Sequence, residues 1–186
     1  MINFDNIKKQ SQISSDSVFE QVDKIKICAQ EIDKRLSDGG KLLWIGNGGS
    51  AAECQHMSAE YMVRYKKNRQ PLASISLTTD TSLLTAHTND FEYDTVFSRQ
   101  INALGSNRDV LIAISTSGKS SNWQEAIKAA QQKKMFIIIL TGRYCPLKEC
   151  EYDICFNVDS DVTARIQEGH TLINHLICEC VETLIC

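Results

Sequence analysis

The chain alternates between short, wholly apolar runs and longer segments in which apolar residues recur every three or four positions. Short apolar runs are typical of strands buried on both faces of a parallel sheet, and the longer spacing is typical of amphipathic helices. The runs predict five strands, at 42–45, 72–77, 109–114, 136–140 and 154–158. The other segments predict helices over 1–38, after Gly49, from Asp80 through His87, over 94–104, over 122–133 and from about 162 onward.

This order of elements predicts a doubly wound α/β fold, a three-layer α-β-α sandwich around a five-stranded parallel sheet. In such a fold, ligands bind at the carboxyl ends of the strands. The length of 186 residues predicts one domain over residues 1–186. The predicted helices in residues 1–40 need a surface for their apolar faces, and a neighbouring subunit would supply one.

Composition narrows the class of protein. The net charge of −3 gives no overall attraction to nucleic acid or to an anionic membrane. No apolar stretch reaches the roughly 18 to 20 residues of a membrane span, and the polar N-terminus lacks a signal-peptide core. We therefore expect a cytoplasmic protein. The eight cysteines include no C-x-x-C pair and are interpreted as buried or free thiols in a reducing compartment.

The first predicted strand runs into a glycine loop, Gly46-Asn47-Gly48-Gly49-Ser50. Ser50 stands where an N-cap is expected, and free amides at a helix N-terminus attract anions. Glycine turns after strands are also common in α/β folds, so the loop is either a ligand contact or a structural turn. It does not match the dinucleotide pattern G-x-G-x-x-G, because Ala51 occupies the third glycine position.

A second loop, Ser115-Thr116-Ser117-Gly118-Lys119-Ser120, follows the third predicted strand. Four hydroxyls and a glycine occupy these six positions. Hydroxyls and backbone amides between a strand and a helix predict a site for a phosphate group. The loop lacks the G-x-x-x-x-G-K-[ST] pattern of nucleotide-binding P-loops.

His56 and Glu60 are four residues apart on the predicted helix, which places them on one face about 6 Å apart along the axis. This spacing fits a metal or acid/base pair, but it also fits two surface neighbours. Arg64 lies close enough to the helix to reach a ligand. The cations at 66, 67 and 69 are interpreted as a solvated helix end.

Four segments together resemble the signature segments of the bacterial phosphoheptose isomerases, one-domain members of the sugar isomerase (SIS) superfamily. They are GNGGSAAECQHMSAE, TNDFEYDTVFSRQ, VLIAISTSGKSSN and ARIQEGHTLINH. The resemblance covers almost the whole chain and implies a flavodoxin-like SIS fold. It also implies a homotetramer with active sites at subunit interfaces. The implied reaction converts sedoheptulose 7-phosphate to D-glycero-D-manno-heptose 7-phosphate, at the start of activated heptose synthesis for lipopolysaccharide or capsule.

The resemblance also implies roles for individual residues. Glu60 and His175 fall on the catalytic acid/base positions, and one Zn²⁺ per subunit is implied at His56, Glu60, Gln167 and His175. With the loops, the predicted substrate contacts are Asn47, Gly48, Gly49, Ser50, Glu60, Arg64, Asn89, Asp90, Ser115, Thr116, Ser117, Ser120 and Gln167.

Gln167 and His175 are eight residues apart, about 12 Å of rise in a straight helix, so they converge on one ion only awkwardly. Either the last helix starts after Gln167, or one ligand comes from a neighbouring subunit. Two other functions stay open. One is a non-catalytic SIS tetramer that binds the bacterial replication initiator protein; the other is an isomerase of another phosphosugar. Retention of all four implied metal positions favours an enzyme.

Overall fold

The computed structural model describes residues 2–186 and places a five-stranded parallel sheet between two layers of helices. The strands are β1 Leu42–Gly46, β2 Ser74–Ser76, β3 Val110–Ile114, β4 Phe136–Thr141 and β5 Ile154–Asn157. The helices are α1 Phe4–Phe19, α2 Val22–Ser37, α3 Gly49–Met62, α4 Thr81–Asp90, α5 Val96–Leu104, α6 Ser121–Gln132 and α7 Thr163–Ile185. Short 3₁₀ turns lie at Tyr93–Thr95 and Glu149–Glu151.

The strand order is β2-β1-β3-β4-β5, and every neighbouring pair is parallel. The chain moves from β1 outward to β2 and then returns to the other side of β1 to form β3. In doubly wound folds the crevice at such a reversal is where ligands bind. The glycine loop leaves β1, and the second loop, residues 115–120, leaves β3 and is called the serine loop below. Both therefore lie at this point of the sheet.

Helices cover both faces of the sheet, which is why every residue of β1, β3 and β4 is buried. On one face, Trp44 and Ile112 pack with residues of α2, α3 and α7. On the other face, Leu43 and Leu111 pack with residues of α5 and α6. The predicted three-layer α/β sandwich is confirmed.

Most predicted elements are present with shifted ends, and three local predictions are wrong. Ser50 is not the N-cap of α3, because Gly48 occupies that position with φ of 57° and Ser50 is buried in the first turn. Only glycine adopts this left-handed backbone conformation readily. Helix α4 continues beyond its predicted end at His87, so Asn89 and Asp90 lie in its last turn rather than in a loop after it. Arg69 is not part of a solvated helix end, since its side chain is only 2% exposed.

Asp80, the predicted start of this helix, is the N-cap of α4, and its carboxylate accepts a hydrogen bond from the Leu83 amide at 3.0 Å. The N-terminal region forms the two helices α1 and α2. Large apolar side chains on these helices face outward: Phe4, Phe19 and Ile27 are each more than half exposed. Among residues 2–186, no helix combines the length and the apolar character that crossing a membrane requires.

Candidate active site

Helices α3 and α7 lie side by side and carry most of the predicted chemical groups along their contact. Glu53 of α3 fixes their relative position: its carboxylate accepts hydrogen bonds from Thr171 Oγ1 and Asn174 Nδ2, each at 2.9 Å. Gln167 therefore lies on the glycine-loop side of this contact, and His175 lies on the far side.

His56, Glu60 and His175 come together at that far side. The Nε2 atoms of the two histidines are 3.3 Å apart, and His56 Nε2 is 3.5 Å from Glu60 Oε1. The rings meet edge to face, with centroids 5.0 Å apart. The side chains of His56 and Glu60 are 43% and 24% exposed, so a ligand can reach them. Three of the four predicted metal ligands are thus neighbours.

Within one chain, Gln167 lies apart from the other three predicted metal ligands. Helix α7 begins at Thr163, so the alternative in which the helix starts after Gln167 is wrong. A Cβ atom placed on Gly49 would lie 2.3 Å from Gln167 Nε2, which shows that the amide packs directly on the glycine loop. In one subunit, Gln167 therefore lies with the glycine loop rather than with the histidine pair.

The three neighbours have donor types that fit zinc. Zinc bonds of about 2.0 to 2.1 Å to nitrogen or oxygen place tetrahedral ligands about 3.4 Å apart, close to both spacings at His56 Nε2. They do not enclose an ion unaided: within residues 2–186, no three His, Cys, Asp or Glu side chains are arranged to hold a metal. The zinc site therefore stays a prediction that needs a further ligand.

The glycine loop presents its backbone to solvent at Gly48 and Gly49. Beside them, Asn47 is held by Asn122, with the two side-chain amides exchanging hydrogen bonds at 2.9 and 3.1 Å. The Tyr93 hydroxyl also donates to Asn47 Oδ1, at 2.9 Å. Sequence reasoning missed Asn122 and Tyr93 as partners of the loop, although both lie within the segments that carried the family resemblance.

The serine loop, predicted as a phosphate site, leads into the N-terminus of α6. Ser115 Oγ accepts the Gly118 amide at 2.9 Å, and Gly118 takes a positive φ of 65°. Ser120 is the N-cap of α6, and within the described chain its hydroxyl caps no amide. Thr116 and Ser117 line an open cavity of about 360 Å³. Exposed hydroxyls at a helix N-terminus suit a phosphate group.

Three predicted substrate residues stand apart from this cluster in one chain. Arg64 is exposed just beyond the end of α3. Asn89 Nδ2 donates to Asp90 Oδ1 at 2.9 Å, and both residues are exposed. Among residues 2–186, neither side chain hydrogen-bonds to the glycine or serine loop. Their predicted contact with substrate stays a prediction.

His170 is a buried residue that sequence reasoning did not select. Its side chain is 1% exposed, and Nε2 lies 3.0 Å from the Thr141 carbonyl oxygen. Burial lowers the pKa of His170 to about 4, so the ring is neutral and Nε2–H donates to that oxygen. Nδ1 has no hydrogen-bond partner within the described residues. His170 lines a small cavity of about 80 Å³ with Gly49 and Gln167.

Comparison with known proteins places this geometry in a family. The SIS domain family matches residues 7–142. The chain is 43% identical over 188 residues to a phosphoheptose isomerase of Thiobacillus denitrificans, covering 97% of this chain and 95% of that protein. It is 49% identical over 155 residues to the phosphoheptose isomerase of a Neisseria gonorrhoeae strain, covering 81% of this chain and 78% of the relative.

A solved structure is also similar to this chain. The phosphoheptose isomerase structure from Neisseria gonorrhoeae superposes with a TM-score of 0.86 at 40% identity, over 97% of each chain. Similarity of this extent covers both loops and the α3–α7 contact. The chain belongs to the phosphoheptose isomerase family of SIS-domain proteins.

Proposed function

We propose that this protein is an aldose–ketose isomerase that converts sedoheptulose 7-phosphate to D-glycero-D-manno-heptose 7-phosphate. This reaction begins the synthesis of nucleotide-activated heptose. The observation that carries the proposal is the meeting of Glu60 with the two histidines at the contact of α3 and α7. A proton-transfer site thus lies in the same chain as two anion-binding loops, in a family whose named members are phosphoheptose isomerases.

The loops hold the two ends of the sugar in different ways. The serine loop offers hydroxyls and the N-terminus of α6, which suit the dianionic phosphate. The glycine loop lets a sugar approach the backbone closely at Gly48, where a Cβ atom would have no neighbour within 4 Å and the space is open. The held amide of Asn47 adds an oriented polar group beside the sugar hydroxyls.

The reaction moves hydrogen between two neighbouring carbons without net oxidation. The Glu60 carboxylate takes a proton from C1, next to the ketone at C2, and an enediol forms. The proton returns at C2, which leaves an aldehyde at C1. His175 donates a proton to the oxygen on C2 and accepts one from the oxygen on C1. A carboxylate and an imidazole suit these two transfers near neutral pH.

We further propose one Zn²⁺ per subunit at His56, Glu60, Gln167 and His175. When bound, it would act as a Lewis acid that stabilises negative charge developing on the sugar oxygens. The donor types and the spacings near 3.4 Å at His56 support zinc. Glu60 and His175 would then each be both a ligand and a proton-transfer group, and zinc binding weakens the carboxylate as a base and occupies one nitrogen of the imidazole.

The position of Gln167 supports a site shared between subunits. Gln167 lies about 12 Å of helical rise from His175, so we propose that a complete ligand set draws on two subunits of a homotetramer. The outward-facing Phe4, Phe19 and Ile27 on α1 and α2 are candidates for burial in that assembly. We place the enzyme in the cytoplasm, because all eight of its cysteines, each within the described residues, are free thiols.

The activity is tested by incubating the pure protein with sedoheptulose 7-phosphate and following formation of the aldoheptose. Chelator-treated protein is assayed before and after zinc is restored, with metal content measured in parallel. We expect aldoheptose formation that rises with zinc. Isomerisation of a pentose or hexose phosphate alone would assign another substrate, and no isomerisation of any phosphosugar would overturn the enzyme.

Mixed tetramers test the shared site. Gln167→Ala subunits retain the cluster of His56, Glu60 and His175, and His175→Ala subunits retain Gln167. Mixing these two variants should restore activity well above either alone. Mixing Glu60→Gln with His175→Ala is the control, because both changes disable the same cluster and no complete site can form. Absence of restored activity in the first mixture would contradict sharing.

A further inference from the structure

Tyr65 lies directly against the predicted catalytic histidine. Its ring centroid is 5.4 Å from that of His175, and the planes differ by only 19°, so the rings are stacked. His56 approaches the same imidazole edge to face. Two rings therefore contact the His175 imidazole, Tyr65 on its face and His56 edge to face. Sequence analysis gave Tyr65 no role.

Tyr65 does not belong to a helix, so its position needs another explanation. It lies in the irregular segment that follows α3. The Glu182 carboxylate of α7 binds this segment by accepting hydrogen bonds from three successive amides, those of Tyr65, Lys66 and Lys67, at 2.9 to 3.0 Å. Several amides converging on one carboxylate define a fixed backbone path.

Arg69 completes the attachment from the other side. Its Nε donates to Glu182 Oε1 at 2.9 Å, and each of these two side chains is only 2% exposed. Its Nη1 donates to the Tyr61 carbonyl and its Nη2 to the Glu60 carbonyl, at 2.8 and 2.7 Å. The ion pair therefore joins the backbone of Glu60, the segment of Tyr65, and α7, which carries His175.

The Tyr65 ring also has a charged neighbour on its solvent side. The Lys66 ammonium lies 5.4 Å from the centroid of the Tyr65 ring and pairs with Glu179 Oε2 at 2.7 Å. Glu179 is one helical turn beyond His175 on α7. This exposed pair favours the stacked position but contributes little by itself.

We propose that Tyr65, fixed by the buried Arg69–Glu182 pair, is a positioning residue that sets the orientation of the His175 imidazole for proton transfer. The inference rests on the proposed isomerase function. Tyr65 touches the catalytic residue and not the reacting atoms. A misdirected imidazole loses transition-state alignment while the loops still bind the phosphosugar, so the effect falls on kcat rather than on KM.

The test compares Tyr65→Leu with Tyr65→Phe in the full-length protein. Tyr65→Phe keeps the stacked ring and should retain kcat. Tyr65→Leu should lower kcat roughly tenfold to a hundredfold, with KM for sedoheptulose 7-phosphate nearly unchanged. Tyr152→Leu is the matched control, because Tyr152 is another half-buried aromatic that packs on the opposite face of the sheet. It should leave kcat unchanged.

The stacking of Tyr65 on His175 can also be measured by NMR without substrate turnover. The chain has four histidines, so imidazole signals can be assigned with a His175→Gln variant. The ring current of Tyr65 should shift the His175 ring protons, and Tyr65→Leu should abolish that shift while Tyr65→Phe keeps it. Normal kcat in Tyr65→Leu, or equal losses in Tyr65→Leu and Tyr65→Phe, would overturn the proposal. Absence of isomerase activity in the unmodified protein would instead overturn the proposed function.

Discussion

The two faces of the sheet are covered by different kinds of buried side chain. The face under α3 and α7 contains buried polar and charged groups, among them His170, Asn174 and the Arg69–Glu182 pair. The face under α5 and α6 is mainly apolar, with Phe97 and Trp123 buried in its core and Gln100 and Asn122 as buried polar residues on these two helices. We call the first the chemical face, because it carries the proposed catalytic groups, and the second the packing face, because it contributes stability mainly through buried apolar side chains. Substitutions on the first face should therefore change activity, acid sensitivity or both.

The largest expected effect is loss of turnover on the chemical face. Glu60→Gln removes the proposed base and should lower kcat about a hundredfold to ten-thousandfold, with little change in unfolding free energy. Glu125→Gln on α6 makes the same change on the other face, at a residue that pairs with exposed Lys128. It should leave kcat unchanged. Steady-state kinetics of both variants test this difference, and similar losses of kcat in both variants would contradict it.

The next effect concerns buried charge. Arg69→Met leaves the Glu182 carboxylate buried without its cation and should lower the free energy of unfolding by about 3 kcal/mol or more. Lys128→Met breaks the exposed pair on α6 and should cost at most about 1 kcal/mol. Urea unfolding of both variants measures the difference. An equally small loss in Arg69→Met would mean that the three amides alone satisfy Glu182.

Acid should weaken the chemical face through His170. Its pKa is about 4 in the folded protein against an ordinary value of 6.5, so the unfolded chain takes up the proton first as pH falls. Stability is then lost as pH falls from 6.5 towards 4, by roughly 3 kcal/mol in total. His170→Gln does not titrate and should show a smaller decline. Measuring the free energy of unfolding of both proteins at pH 7 and at pH 4.5 tests this prediction.

The smallest effect tests the packing face. Ile127→Val removes one buried methylene group from α6 and should cost about 0.5 to 1.5 kcal/mol. Because α6 carries the serine loop only at its first turn, kcat and KM should not change. Thermal unfolding and kinetics check both parts. A fall in kcat would show that the apolar face also affects the active site.

Much of the fold follows from local sequence. An apolar run such as 136–140 has few alternatives to a buried strand, and all five predicted strands are present. Errors fall where neighbouring structure decides the outcome. Ser50 had the side chain of an N-cap, but the left-handed backbone at Gly48 moved the start of α3. Arg69 had the sequence context of a solvated cation, but Glu182, 113 residues away, buries it.

The candidate site likewise combines features that the local sequence predicted with features that it did not. The serine loop was predictable because its hydroxyls and the helix it precedes are contiguous in sequence. Asn122 and Tyr93 were missed as partners of Asn47, because their hydrogen bonds to it cross between elements. Spacing alone left His56 and Glu60 undecided between a functional pair and surface neighbours. The approach of His175 to within 3.3 Å distinguishes them from ordinary surface neighbours.

The sequence by itself determined the succession of strands and helices along the chain and the positions of the glycine and serine loops, because each depends on residues that are adjacent or regularly spaced. The family followed from the resemblance of four sequence segments. Only the tertiary structure decided which side chains meet. His56 and His175 are 119 residues apart, and Gln167 is turned toward the glycine loop although it shares a helix with His175. Packing of α3 against α7 sets these distances, and no local pattern encodes the relative position of two helices.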